Sequence, residues 1–277
     1  MRIAVVTVVS GRHRHLVGQL RGLDASSVQP SEHIVISMGD PQIATVVHGA
    51  PHAAVSLLLV ESPGPGLPLA RARNLGAQTA IESGAELVVF LDVDCIPGVD
   101  MLARYVAASE GTDAGDALLC GPVTYLPPNP TGWSTRELIE ATAPHPARPN
   151  PPANTVIAGT DYDLFWSLSF AVTPQTWKRV GGFFEGYSGY GGEDTDFAAS
   201  ARAAGVGLRW VGGAHAYHQH HPVSSPPVEH VDDIVRNAAV FRRRWNRWPM
   251  EGWLREFEAR GLIERDDTGT IRRTARG

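Results

Sequence analysis

Apolar residues in this chain fall into short dense runs separated by stretches of helical periodicity. Ile3-Ala4-Val5-Val6-Thr7-Val8-Val9 is mostly β-branched and does not alternate with polar positions. Such a run is a central parallel strand covered on both faces. It stops at Ser10-Gly11-Arg12, after which Leu16, Leu20 and Leu23 recur at helical spacing. Residues 33–38 read as a second strand ending in Gly39-Asp40-Pro41, and residues 55–60 as a third. The turn-forming Ser62-Pro63-Gly64-Pro65-Gly66 follows, and a helix is expected just after Pro68. Strand, helix, strand is the opening of an α/β domain with a mostly parallel sheet flanked by helices.

The most informative stretch is Leu87-Val88-Val89-Phe90-Leu91-Asp92-Val93-Asp94-Cys95. A buried strand here runs directly into two carboxylates at i and i+2, which share a face while the chain stays extended and can converge on one cation once it turns. The carboxyl end of a strand is where an open α/β sheet places its ligand. Two solvated acids at the start of a loop are the plain alternative for any Asp-x-Asp taken alone. The helix after Pro68 changes the balance, because it carries Arg71 and Arg73 and ends shortly before the acids. A helix N-terminus with arginines suits a diphosphate, so metal and phosphate oxygens in one site is the simpler account.

Beyond Asp94 the pattern is sparser. Residues 118–123 read as a short strand, and residues 127–152 as a proline-rich loop that is neither helix nor central strand, flanking an acceptor. Residues 164–172 return to strand character, and residues 174–180 form a short helix stopped by Gly181-Gly182. A glycine- and tyrosine-rich segment, Gly186-Tyr187-Ser188-Gly189-Tyr190-Gly191-Gly192, then leads into Glu193, Asp194 and Asp196 at the head of an alanine-rich helix closed by Gly205. Acids in a first turn are ordinary partners of the helix dipole. The preceding glycines and tyrosines allow close ligand approach and offer flat faces for a sugar.

After a strand at residues 206–211, residues 215–221 hold four histidines, His215, His218, His220 and His221. Imidazole is a common metal ligand, and the His-Glu-x-x-His signature of zinc hydrolases is absent. Ile234, Ala238, Phe241 and Trp245 then mark one helix, and Met250, Trp253, Leu254 and Phe257 a second, both expected to dock as a C-terminal extension. The run Arg242-Arg243-Arg244 reads as a solvated or acid-paired face.

The 277 residues are 43% hydrophobic, ample for a core, and a net charge of −5 argues against nucleic-acid binding through a basic surface. Two cysteines, Cys95 and Cys120, make no disulfide framework, and no apolar run is long enough to span a membrane. A soluble, cytoplasmic protein is expected.

The order Ala70-Arg71-Ala72-Arg73-Asn74-Leu75-Gly76-Ala77, Phe90-Leu91-Asp92-Val93-Asp94, Gly181-Gly182-Phe183, Gly191-Gly192-Glu193-Asp194 and a later histidine resembles the inverting nucleotide-sugar glycosyltransferases of family 2. It is also similar to the C-terminal motif of the β-1,4-galactosyltransferases and the polypeptide N-acetylgalactosaminyltransferases. The resemblance implies a GT-A (Rossmann-like) domain over residues 1–222, with a donor half of about 1–98 and an acceptor half of about 99–222. A helical extension over 223–265 and a disordered tail over 266–277 would follow. The donor implied is a nucleotide-diphosphate sugar, a UDP-sugar first, and the acceptor a small molecule or glycan.

By the same resemblance Asp94, His218 and, less directly, Asp92 hold manganese or magnesium. Thr7, Val8, Arg12, Asp40, Arg71, Asn74, Asp92 and Val93 contact the donor. Asp194 is the general base, Glu193 hydrogen-bonds sugar hydroxyls, and Trp166, Tyr190 and Gly192 line the substrate. Two departures stand out. Ser37-Met38-Gly39-Asp40 replaces the usual Asp-Asp-Gly-Ser, leaving Asp40 as the substitute base contact. Asp194 stands where retaining polypeptide transferases have asparagine, and a carboxylate accepts a proton where an amide does not, which favours inversion. A sugar nucleotidyltransferase or a non-catalytic nucleotide-sugar-binding protein are the alternatives.

Overall fold

The computed structural model describes residues 1–49, 54–62, 64, 66–111, 116–266 and 268–274. Its first half alternates strand and helix: β1 (Ile3–Val9), α1 (His13–Asp24), β2 (Glu32–Met38), α2 (Ile43–His48), β3 (Val55–Val60), α3 (Leu69–Glu82) and β4 (Leu87–Leu91). Every residue of β1 and β4 is buried, as their unalternating composition requires. Ala4, Val6 and Val8 face a core shared with α3, while Ile3 and Val5 face the opposite one. The turn expected at residues 62–66 lies partly outside the described residues.

The second half is more broken: β5 (Cys95–Pro97), α4 (Met101–Glu110), β6 (Ala117–Cys120), β7 (Val123–Tyr125), α5 (Thr135–Glu140), β8 (Val156–Gly159), β9 (Ser169–Val172), α6 (Pro174–Val180), α7 (Glu193–Ala203), β10 (Gly207–Val211) and β11 (Ala216–His218). Helix α5 corrects the reading of residues 127–152 as wholly irregular. Its prolines flank residues 131–143 without entering them, and Ser134 and Glu137 form a reciprocal capping box. The expected strand at 164–172 shrinks to β9, which leaves Trp166 in the preceding loop.

Among the described residues the larger sheet has eight strands in the order β3-β2-β1-β4-β9-β6-β10-β8. Strand β9 runs antiparallel to β4 and β6, and β8 antiparallel to β10; the other pairings are parallel. The chain leaves β1 toward β2 and β3 and then returns to its other side as β4. That reversal opens a crevice at the strands' carboxyl ends. A smaller sheet, β5-β11-β7, covers this end and sets His218 opposite Cys95 and Tyr125.

The chain finishes with α8 (Val231–Trp245), α9 (Glu251–Ala259), β12 (Ile263–Arg265) and β13 (Ile271–Arg273). The two last strands pair antiparallel, so part of the tail expected to be disordered is a hairpin; Ile263 and Ile271 bury their side chains against α8 and α9. No helix among the described residues is long and apolar enough to cross a membrane.

Asp196 ties this extension to α7. Fully buried, it accepts hydrogen bonds from the Tyr187 hydroxyl at 2.9 Å, Arg244 Nε at 2.7 Å and Trp245 Nε1 at 2.7 Å. The third acid of the helix head is therefore structural, and one arginine of the triple run is acid-paired. Asp196→Ala leaves these donors without their acceptor and is expected to cost about 3 kcal/mol in denaturant-unfolding measurements.

Candidate active site

The turn carrying the two acids is built from behind. Strand β4 ends at Leu91, Cys95 N–H donates to Asp92 O at 2.8 Å, and the fully buried Gln19 of α1 donates through Nε2 to the carbonyls of Asp92 (2.8 Å) and Cys95 (3.1 Å). Thr7 in turn donates to Gln19 Oε1 at 2.8 Å and its hydroxyl lies 2.9 Å from His33 Nε2. No periodicity or motif singled out Gln19; only the packing of α1 over this turn gives it a role.

The turn separates the acids by partner. Asp94 Oδ2 lies 3.5 Å from His218 Nε2 and 3.3 Å from His221 Nε2. Ligand-capable atoms of Asp94, His218 and His221 all lie within 4.8 Å of one another. Two donors bound at about 2.1 Å to one ion stand roughly 3.0–3.5 Å apart, so these separations suit a metal, and one carboxylate with two imidazoles is a donor set that first-row divalent ions take. Burial alone would raise the Asp94 carboxyl, but the two imidazoles and the Arg12 guanidinium bring it down to about 2. The small sheet explains the convergence: β11 delivers His218 beside the turn, and Gln219 N–H donates to Asp94 O at 2.7 Å.

Asp92 does not join this cluster. Its Oδ1 accepts from Arg73 Nη2 at 3.0 Å, while Arg73 Nη1 donates to Glu193 Oε1 at 3.1 Å. Arg73 is 4% exposed and bridges acids from two motifs more than a hundred positions apart. Asp92 is thus paired with Arg73, and Arg73, not Arg71, joins the two acidic motifs. Two positions apart on a helix, side chains point to nearly opposite faces. Arg71 consequently lines a separate cavity of about 360 Å³ with Glu61, Asn74, Gln78 and Glu185.

Asp194, half-buried at the head of α7, completes the acidic face. Burial and the neighbouring Glu193 carboxylate push its carboxyl up to about 7, against the pull of Thr195 N–H and Arg73. Burial, with the charge of Asp94 adding to it, likewise raises the Asp92 carboxyl to about 6 against the pull of Arg73. The second oxygen of Glu193 is buried without a hydrogen-bond partner in the protein. A buried acceptor left open beside a cleft is a place for a ligand hydroxyl.

The other expected positions divide. Arg12 faces Asp94, its charge among those acting on that carboxyl. Asp40 accepts from Gly11 N–H at 2.9 Å and lies 2.7 Å from His13 Nε2, closing the crevice edge at β1 and β2. Thr7, Val8 and Val93 are interior, because the first two lie within β1 and not at its end, and Val93 packs on Leu16 and Leu20. Asn74 instead fastens the loop after α6, donating to Phe183 O and accepting from Phe183 N–H, each at 2.8 Å. Among the histidines, His215 turns to Thr124 Oγ1 at 2.7 Å, and burial lowers its imidazole to about 4; His220 is exposed.

On the far side, Tyr125 stacks on His218 with ring centres 4.5 Å apart, and His145 lies against both Tyr125 (5.4 Å) and Trp166 (5.1 Å). Arg148 supports Trp166 from beneath, its guanidinium 5.1 Å from that ring and 4.8 Å from Trp210. Tyr190, 38% exposed, stacks on His230 of the C-terminal extension, and the charges of Asp194 and Glu193 add to burial in raising its hydroxyl. Gly192 holds φ +94°, a left-handed conformation that suits glycine, where the loop enters α7.

Residues 157–222 match the model of a family described as the N-terminal domain of galactosyltransferase. Validoxylamine A glucosyltransferase of Streptomyces hygroscopicus subsp. jinggangensis is 29% identical over 161 residues, which is 51% of this chain and 36% of that protein. The chain thus spans about a third of the length of the curated relatives it matches. Among solved structures, TarS of S. aureus (residues 1–349) superposes with a TM-score of 0.56 at 16% identity, covering 87% of this chain and 64% of that one. GalNAc-T7 with UDP, GalNAc and Mn2+ gives 0.57 at 13%, covering 94% and 57%. The mannosyltransferase PcManGT of Pyrobaculum calidifontis with GDP-Man and Mn2+ gives 0.55 at 16%, covering 90% and 66%. The architecture is the one these proteins share, a mixed and mostly parallel sheet flanked by helices.

Proposed function

We propose that this chain, which has the GT-A fold, is a metal-dependent inverting glycosyltransferase that moves a sugar from a nucleotide-diphosphate donor, a UDP-sugar first, to an acceptor hydroxyl. The observation that carries the reading is the Arg73 bridge, which joins Asp92, two residues before Asp94 of the Asp94-His218-His221 cluster, to Glu193, the residue before Asp194. The complexes of GalNAc-T7 and PcManGT with nucleotide or nucleotide sugar and Mn2+ support it.

Asp94, His218 and His221 would hold manganese or magnesium, which when bound neutralises the departing diphosphate. Arg12, near Asp94, adds positive charge on the same side. Glu193 presents its unpartnered oxygen to a sugar hydroxyl, while Arg73 fixes its other oxygen. Asp194 takes the proton of the acceptor hydroxyl as that oxygen attacks the anomeric carbon from the face opposite the diphosphate. Tyr125, Trp166 and Tyr190 supply flat faces for the acceptor, a small molecule or glycan. A cytoplasmic location is part of this reading, supported by Cys95 and Cys120, which are buried and unpaired.

The test is a thermal-shift panel of UDP-glucose, UDP-galactose, UDP-N-acetylglucosamine and GDP-mannose, each with and without Mn2+. One donor is expected to raise the melting temperature only when the metal is present, a ligand at about 100 times its Kd stabilising by about 2.7 kcal/mol. Product analysis follows. Release of nucleoside diphosphate supports transfer, whereas release of pyrophosphate would identify a nucleotidyltransferase, and binding without turnover a non-catalytic receptor.

A further inference from the structure

The loop that delivers Glu193 and Asp194 is held by the C-terminal extension. Asn237 of α8 is fully buried, yet its side chain faces no apolar neighbour's need: its amide donates to the carbonyls of Gly191 (2.8 Å), Ser188 (3.1 Å) and Tyr190 (3.2 Å), and its oxygen accepts from Ser188 N–H at 3.4 Å. One turn earlier Asp233 Oδ2 accepts from Tyr190 N–H at 3.1 Å. His230, at the start of α8, stacks on the Tyr190 ring with centres 4.5 Å apart and planes 21° from parallel. Positions 230, 233 and 237 lie at i, i+3 and i+7, so one face of the helix grips the loop.

The loop is shaped to be gripped. Gly189 has φ +74°, and a Cβ there would run into the Asp233 carboxylate; a Cβ on Gly192 would meet Tyr187 at 3.1 Å and Asn237 at 3.4 Å. An extension that merely docked an apolar face could fill position 237 with leucine. A buried amide committed to the carbonyls of Ser188, Tyr190 and Gly191 is instead expensive unless those bonds are made, and it specifies one loop conformation.

We propose that the C-terminal extension is a working part of the transfer site, with Asn237 and Asp233 as positioning residues that hold residues 188–192 so that Asp194 and Tyr190 meet the acceptor. The grip stands on the contacts alone, whereas its effect on turnover rests on the glycosyl-transfer reading. The test uses the full chain as Asn237→Ala and Asp233→Asn, and follows hydrogen exchange by mass spectrometry together with turnover of whichever panel nucleotide sugar the wild type consumes. In Asn237→Ala, amides of residues 186–196 are expected to exchange about tenfold faster or more while those of β1 and β4 keep their rates. Turnover falls on the order of 100-fold in kcat, with donor KM and Mn2+ affinity unmoved. Asp233→Asn keeps the side-chain volume, guards against misfolding of the first variant, and moves both readouts the same way by less.

Unchanged exchange at 186–196 in both variants would overturn the grip. Faster exchange there with normal kcat per folded molecule would overturn the catalytic consequence, and faster exchange spread over β1 and β4 with a matching loss of folded protein would reduce Asn237 to a stabilising residue. If the wild type consumes no nucleotide sugar, the transfer reading fails, and the exchange measurement still decides the grip.

Discussion

Asp194→Asn is expected to bind donor and Mn2+ like the wild type and to lose about 10³-fold in kcat, within the range assigned to a positioned general base. Its amide keeps the volume and can still accept from Thr195 N–H, so the loop geometry survives. What disappears is the lone pair basic enough to take the acceptor proton. The pH profile gives a second, independent readout. With its carboxyl pushed up to about 7 by burial and by Glu193, Asp194 is protonated and idle at pH 5 and ionised at pH 9. The log of kcat/KM is therefore expected to climb with unit slope up to about pH 7 and to level off above it, and this limb is absent from the variant.

The same shift has a stability consequence of defined sign. A carboxyl whose folded pKa lies above its unfolded one binds more protons in the native state, so the wild type loses stability as pH rises from about 4 to 7. Asp194→Asn removes that loss and is expected to melt higher than the wild type above pH 7. A variant that retains near-normal kcat and the wild-type acid limb would take the base role away from Asp194.

His221→Ala is the second decisive change, because the proposed cation site rests on three ligands and not two. Removing either His221 or Asp94 is expected to abolish the Mn2+-dependent thermal shift and to lower kcat about 10³-fold, equivalent to about 4 kcal/mol of transition-state stabilisation. His220→Ala is the matched control: it is exposed, its carbonyl and not its ring faces His15, and it should leave metal affinity unchanged. His215→Ala loses its bond to Thr124 without touching the cation site. Equal metal affinity in His221→Ala and the wild type, measured by titration calorimetry, would reduce the site to Asp94 and His218.

Much of this was legible along the chain. Unalternating runs marked β1 and β4 because a strand covered on both faces has no polar side to show. Asp92 and Asp94 stood out as acids just beyond such a strand, whereas the roles expected of Asp94, Asp194 and His218 came from the resemblance. Other features were not legible, for nameable reasons. Choosing between Arg71 and Arg73 requires the rotation of α3 about its axis, which two arginines two positions apart on an alanine-rich helix leave open. Thr7 and Val8, expected at the donor from the resemblance, are buried within β1, and that burial is set by the strands and helices packed on both sides of it. Helix α5 was hidden by the prolines on either side, although Ser134 and Glu137 announced its start.

The sequence by itself determined the alternation of strands and helices, the two acidic motifs and the pool of histidines, since these rest on periodicity and on residue chemistry confined to neighbours in the chain. Only the tertiary structure decided which of them meet. Arg73 joins Asp92 to Glu193, β11 sets His218 against Asp94, the following turn adds His221, and Asn237 reaches the loop before Asp194 from a helix that begins nearly forty residues later. Those encounters depend on how sheets twist and helices rotate as they pack, and no local pattern of hydrophobicity or charge encodes the outcome.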